Sequence, residues 1–165
     1  HGCAFRRDTR KAEFFFDFLH QNGIKVSDRH YSVLLKSYAK SDEWFKVMVV
    51  LDEMVERKIK PSPFSLRHAI SACESEGDIQ KVEKIIKLIR NERVRMDSSL
   101  YASIISAYCK VNKCETAAKY LREMEDNGFE AKQDEYDCMI DCFDRIGRIE
   151  EADKLYFEME RRISK

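Results

Sequence analysis

Slid against itself by 35 residues, the sequence meets the same chemistry in four successive copies. Tyr31, Leu66, Tyr101 and Tyr136 align. Next come Leu34-Leu35, Ala69-Ile70, Ile104-Ile105 and Met139-Ile140, then Tyr38, Cys73, Tyr108 and Phe143. Spacing of i, i+3, i+4, i+7 lays these side chains in one stripe along a helix. A break follows at Asp42, Gly77, Asn112 and Gly147. A second stripe then opens at Trp44, Ile79, Cys114 and Ile149, passes through Val47, Val82, Ala117 and Ala152, and closes at Met54, Ile89, Met124 and Met159.

A helical hairpin with an apolar stripe on each limb cannot bury both alone, so copies must stack. The periodicity therefore predicts an all-α fold, a right-handed superhelical solenoid of stacked helix-turn-helix repeats with a concave and a convex face. Helices are expected over 28–40, 43–57, 63–75, 79–92, 98–110, 114–127, 133–145 and 149–163. Residues 1–7 are predicted to end an earlier first helix, with 8–22 as its partner. The chain reads as a single array over 1–165: a partial repeat 1–27, repeats 28–62, 63–97 and 98–132, and an incomplete 133–165. It opens at His1 without Met and both ends fall in mid-repeat, as expected of a processed product, of an excised fragment of a longer array, or of ends covered by a partner. Tyr31, Leu35, Leu51, Tyr101, Ile105, Leu121, Met124, Tyr136 and Ile140 are its predicted core.

Composition agrees. Five Gly and two Pro are too few for a chain of β-hairpins. No apolar run approaches the roughly 18 residues that cross a bilayer, so no membrane partner is expected. Thirty basic residues balance thirty acidic ones, which argues against phosphate binding by the whole surface but allows a basic groove set among acidic faces. The six Cys at 3, 73, 109, 114, 138 and 142 show no CxxC spacing, so neither a zinc site nor a thioredoxin-like motif is indicated. Cys3 and Cys73 share the slot of Tyr38, and Cys114 that of Trp44. Cys138 and Cys142 sit one turn apart on one helix face. All six are therefore expected to be reduced packing residues.

The chain is not expected to be an enzyme. Nucleophile-elbow, zinc-protease, P-loop and dinucleotide motifs are absent, and the four His at 1, 20, 30 and 68 are scattered. No cofactor and no metal is predicted.

The 35-residue period with a Tyr early in the first helix resembles the pentatricopeptide repeat of the P type. So do the second helix Glu151-Ala152-Asp153-Lys154-Leu155-Tyr156-Phe157-Glu158-Met159 and the repeat ending Lys58-Ile59-Lys60-Pro61. The tetratricopeptide repeat runs 34 residues and carries a Trp-Leu-Gly-Tyr pattern that is missing here. The resemblance covers nearly the whole chain. It implies a protein of mitochondria or chloroplasts that handles organellar transcripts, and repeats that take single-stranded RNA at one base each.

By that resemblance, the fifth and last residues of a repeat meet the base edge. Here they pair Ser32 with Ser62, Arg67 with Asp97, and Ala102 with Lys132, while Asp137 lacks a partner within the chain. The second residue packs on the bases: Arg29, Phe64, Ser99 and Asp134. A Lys late in the first helix faces a phosphate, and that slot holds Lys40, Ser75, Lys110 and Arg145. The usual pairs join Asn, Thr or Ser to Asp or Asn. No complete pair here fits, and Ala102 has no group to read with.

Along the first helix the second, fifth, ninth and twelfth residues share a side. In the first full repeat that side is basic, with Arg29 and Lys36, and Arg67 continues it in the second. In the fourth it is Asp134, Asp137, Asp141 and Asp144, a face that opposes phosphates within a Debye length of about 8 Å. Two functions follow as expectations. One is a groove that holds single-stranded RNA weakly. The other is a protein-contact scaffold in an organellar ribosome or a transcription or processing complex, with the four Asp as the contact.

Overall fold

A computed structural model describes the backbone of residues 2–41, 43–75 and 77–163, and the side chains of 9–41, 43–74 and 77–162. Among them are nine helices and no strand. The chain divides into two compact units, His1–Arg95 and Met96–Lys165.

The first unit holds α1 (Gly2–Gln21), α2 (Asp28–Lys40), α3 (Trp44–Glu56), α4 (Pro63–Ser75) and α5 (Ile79–Asn91). First helices α2 and α4 lie side by side, with α1 and α3 packed on α2 and α5 on α4. The second unit holds α6 (Ser98–Lys110), α7 (Cys114–Asp126), α8 (Gln133–Arg145) and α9 (Ile149–Ile163). In it α6 packs on α7 and α8, and α8 on α7 and α9. No helix among the described residues is long and apolar enough to cross a membrane.

The repeat is written in the backbone as well as the side chains. Helices α1, α3, α5 and α7 are each followed by a residue of positive φ, namely Gly23 (65°), Lys58 (55°), Arg93 (47°) and Gly128 (82°). The next N–H closes a six-residue ring: Ile24 to Leu19 at 2.9 Å, Ile59 to Met54 at 2.8 Å, Val94 to Ile89 at 2.9 Å and Phe129 to Met124 at 3.1 Å. Gly77, Asn112 and Gly147 make the corresponding stop inside the α4–α5, α6–α7 and α8–α9 hairpins. The expected helices are present, and their ends shift by one residue at most where a cap was counted in.

One expectation fails at the start. Residues 2–21 form a single unbroken helix, not the end of one helix followed by another. The slot that holds Gly77, Asn112 and Gly147 in later repeats holds Arg7 here. Arginine favours a helix and gains nothing from a left-handed turn.

The stripes form the core. Tyr31, Leu35, Leu51, Tyr101, Ile105, Leu121, Met124 and Tyr136 are buried, and Ile140 is half-buried. The buried tyrosines keep a partner for their hydroxyls. Tyr31 donates to Glu53 at 3.0 Å, Tyr101 to Glu123 at 3.1 Å and Tyr136 to Glu125 at 3.2 Å. Burial and the neighbouring carboxylates push all three phenols up to about 12.

The expectation of six reduced cysteines is corrected. Cys114 at the start of α7 is bonded to Cys142 on α8, with Cα atoms 5.8 Å apart. The pairing crosses from the seventeenth slot of one repeat to the tenth slot of the next. Trp44 and Ala72 hold those slots earlier, a large residue set against a small one. Two Cys fill the same space with a bond. Cys73 and Cys109 are buried and Cys138 half-buried, all outside any disulfide. Cys3 lies outside the described side chains.

Candidate nucleic-acid interface

In the first unit, α2 presents Arg29, Lys36 and Lys40, all exposed, at a spacing that keeps them on one side. The neighbouring α4 presents Phe64 and Arg67. Phe64 is 46 % exposed. The Arg67 guanidinium lies 5.1 Å from the Phe64 ring centroid, and His68 meets the same ring edge-on at 4.6 Å. The imidazole of His68 is pushed down to about 4 by burial and by the charges of Arg67, Lys36 and Lys40. His68 Nε2 is itself buried without a hydrogen-bond partner among the described residues.

Several cations elsewhere are paired. Lys46 meets Glu13 at 2.7 Å, Arg57 meets Glu53 at 2.8 Å, Lys81 meets Asp78 at 2.7 Å and Arg162 meets Glu158 at 2.8 Å. Arg148 is held between Glu115 and Glu151. Among the described residues, no carboxylate pairs with Arg29, Lys36, Lys40 or Arg67. An exposed ring flanked by unneutralised cations suits a strand whose bases stack and whose backbone is anionic.

The fifth and last slots are built differently. Ser32 is buried and its hydroxyl donates to the Arg29 carbonyl at 2.7 Å. Ser62 precedes α4. Its N–H donates to Asp28 Oδ1 at 2.9 Å, and its hydroxyl receives the Ser65 N–H at 3.3 Å. Asp97 is the N-cap of α6 and accepts the Leu100 N–H at 2.8 Å. Lys132 is the N-cap of α8, and its N–H donates to Glu135 at 2.7 Å. The last residue of each repeat thus stands where the next helix begins. The preference of N-caps for Ser and Asp was the signal in the sequence that could have disclosed this.

In the second unit, Ser99 is exposed and Ala102 half-buried on α6. Lys110 is exposed at the end of α6, while Arg145 donates to the Cys109 carbonyl at 2.6 Å. Asp134, Asp137, Asp141 and Asp144 are all exposed along α8. No cation among the described residues forms a salt bridge with any of them.

The whole chain, residues 1–165, matches the family model described as the pentacotripeptide-repeat region of PRORP. The chain belongs to the pentatricopeptide-repeat family. A mitochondrial pentatricopeptide repeat-containing protein of Arabidopsis thaliana is 26 % identical over 99 % of this chain and 33 % of its own length. A chloroplastic one from the same plant is 25 % identical over 80 % of this chain and 16 % of its own length. The chain thus spans about a third or less of these curated relatives.

Among solved structures, the pentatricopeptide-repeat domain of Arabidopsis thaliana protein-only RNase P 1, in complex with tRNA, superposes with a TM-score of 0.79 at 14 % identity. The match covers 98 % of this chain and 85 % of that one. PPR10 from maize gives 0.77 at 18 %, over 91 % of this chain and 22 % of that one. PPR10 bound to an 18-nt psaJ RNA element gives 0.72 at 19 %, over 93 % of this chain and 22 % of that one. These likenesses are of fold.

Proposed function

We propose that this chain is a non-catalytic pentatricopeptide-repeat module of an organellar RNA-metabolism protein, in mitochondrion or chloroplast, and that it holds single-stranded RNA on its first helices. On this reading residues 1–165 are one array. The observation that carries it is the α2–α4 face, where Arg67 lies over the exposed Phe64 ring on α4 and Arg29, Lys36 and Lys40 line one side of the neighbouring α2, none of the four paired with a carboxylate among the described residues. Support comes from the RNA-bound PPR10 and protein-only RNase P 1 repeat structures of the same fold, and from the mitochondrial and chloroplastic relatives.

Phosphates are assigned to Lys36, Lys40 and Lys110, with Arg145 at the same slot. Bases are assigned to Arg29, Phe64 and Arg67. Ser32, Ser62, Asp97, Ser99, Ala102 and Lys132 add little base discrimination, since most of their polar groups serve the fold. Binding is weak with little sequence preference. The test is fluorescence anisotropy with a labelled single-stranded RNA at low salt. Changing Arg29, Lys36, Lys40 and Arg67 together to Gln abolishes binding, while the paired cations Lys46 and Arg57 changed to Gln leave it intact. No binding by the wild type at low salt, or an unchanged four-Gln variant, defeats the proposal.

A second reading rests on a separate observation. Four exposed carboxylates along α8, none in a salt bridge with a described cation, suit a basic protein partner better than a phosphate backbone.

A further inference from the structure

In the first unit, among the described residues, α1 and α3 both pack on α2 and not on each other. The trough between them is a hollow of about 230 Å³, with Phe16, Leu34 and Val50 along it and Phe45 and Val49 at its rim. That rim departs from the rest of the array. Phe45 is 66 % exposed and Val49 51 %. The same two slots are exposed in later repeats, where they hold Gln80 and Lys84, Glu115 and Lys119, and Glu150 and Lys154. The fold therefore accepts polar side chains there, and packing does not call for Phe and Val. Phe14, on α1 at the slot of Val49, is 74 % exposed and adds a third. The trough between α7 and α9 in the second unit is instead lined in part by Arg122, Glu125, Glu151, Lys154 and Glu158.

The charges of the α1–α3 trough run one way. Glu13, Asp17 and Glu53 line it against a single cation, Lys46, and Lys46 is already held by Glu13 and Glu43. Asp17 and its slot-mate Asp52 on α3 are exposed, and no cation among the described residues forms a salt bridge with either. The next two repeats put Lys87 and Arg122 at that slot. Apolar side chains beside uncompensated carboxylates repel an anionic lipid surface or a phosphate backbone and attract a cationic partner. A trough between two helices takes a third through side chains spaced i, i+3, i+4, i+7. We propose that the α1–α3 trough is a docking site for a basic amphipathic helix of a partner protein, whose apolar stripe meets Phe14, Phe45 and Val49 and whose Lys or Arg side chains meet Asp17 and Asp52. The site rests on neither the RNA-binding proposal nor the four Asp of α8.

The test is fluorescence anisotropy of the full chain with a labelled peptide that carries Leu at i, i+3, i+4 and i+7 and Lys elsewhere, and with a counterpart carrying Glu for Lys. The wild type binds the Lys peptide saturably at one site and leaves the Glu peptide free. Phe45→Gln with Val49→Lys copies the second repeat, so the fold is kept, as circular dichroism checks. It weakens the Lys peptide by about tenfold or more, as the loss of one buried apolar side chain predicts. Asp17→Lys with Asp52→Lys copies the charge of Lys87 and moves the preference to the Glu peptide. Changing Asp134, Asp137, Asp141 and Asp144 to Asn leaves Lys-peptide binding unchanged. Absence of Lys-peptide binding, binding that the Phe45 and Val49 changes leave intact, or binding that the four-Asn variant abolishes overturns the proposal. Attachment to vesicles of phosphatidylcholine and phosphatidylglycerol, or a dimer in sedimentation, that the Phe45 and Val49 changes release overturns it too, by giving the face another occupant.

Discussion

Tyr101 and Glu123 offer a test of how one repeat is held shut. The Tyr101 ring is 3 % exposed. Its hydroxyl donates to Glu123 at 3.1 Å and receives Asn127 Nδ2 at 3.2 Å. Tyr31 and Glu53 repeat the bond at the same separation of 22 residues. In the second repeat those two slots hold Leu66 and Leu88, an apolar pair in place of a polar one. Tyr101→Phe keeps the ring and removes the bond. A hydrogen bond to a charged group contributes about 1.5–3 kcal/mol. Glu123 is half-exposed and Asn127 exposed, so water replaces part of it, and a loss of about 1–2 kcal/mol is expected. Tyr101→Ala removes the ring too and costs about 3–5 kcal/mol. Glu123→Leu alone strands the buried hydroxyl, whereas Tyr101→Leu with Glu123→Leu copies the second repeat. The double variant should therefore cost about 1 kcal/mol less than the sum of its singles. Urea titration followed by circular dichroism reads these differences, and melting reads them as about 2–4 °C per kcal/mol. Singles that add to within about 0.3 kcal/mol, the usual figure for independent sites, would refute the coupling.

Four further outcomes are expected. The folded phenols of Tyr31, Tyr101 and Tyr136 keep their protons to about 12, against an ordinary value of 10.0. Stability is thus complete below that ordinary value and is lost as pH rises toward the raised one; a tyrosinate absorbance titration in which all seven Tyr ionise together near the ordinary value contradicts this. His68 refuses a proton until about 4 where the unfolded chain accepts one near 6.5, so stability drains as pH falls between those values; His68→Gln should flatten that part of the urea-midpoint profile, and an unchanged profile counts against it. Arg93 is exposed with φ of 47°, so Arg93→Gly should stabilise by about 1 kcal/mol, and a lower melting temperature would show the left-handed turn to be no burden. Two or three neutralised phosphates give an RNA salt slope of about −1.5 to −2; removing Lys40 and Lys110 flattens it, while changing the four Asp of α8 to Asn tightens RNA only if the strand passes them and otherwise weakens a protein partner.

Most of the fold was legible because both stripes and both turns are local in sequence and recur in phase. Gly23, Gly77, Gly128 and Gly147 mark left-handed turns that few other residues enter cheaply. Lys58 and Arg93 enter them too, and only their place in the period betrays it. The unbroken α1 escaped because periodicity alone assigned a turn at Arg7 where no residue enforces one. The Cys114–Cys142 bond escaped because alignment compares equivalent slots, whereas contacts form between different slots of successive repeats. The α2–α4 cations were legible as charges. That no described carboxylate pairs with them was not, since it depends on which side chains meet across helices, as Lys46 meets Glu13.

The caps at the repeat boundaries bear on how such a protein changes its target. Asp97 holds the first turn of α6 through the Leu100 N–H, and it also stands at the slot where the family's base contact is expected. Selection acting on that residue for a new ligand acts at once on the start of a helix. Asp97→Asn or Asp97→Ser keeps an oxygen for the N–H, whereas Asp97→Ala gives up about 1 kcal/mol of helix stability. Variation at residue 97 is therefore channelled toward short oxygen-bearing side chains, whatever ligand is favoured. Lys132, whose side chain has no oxygen to accept an N–H and makes no cap bond at α8, has already left that channel, and Glu135 accepts the Lys132 N–H instead.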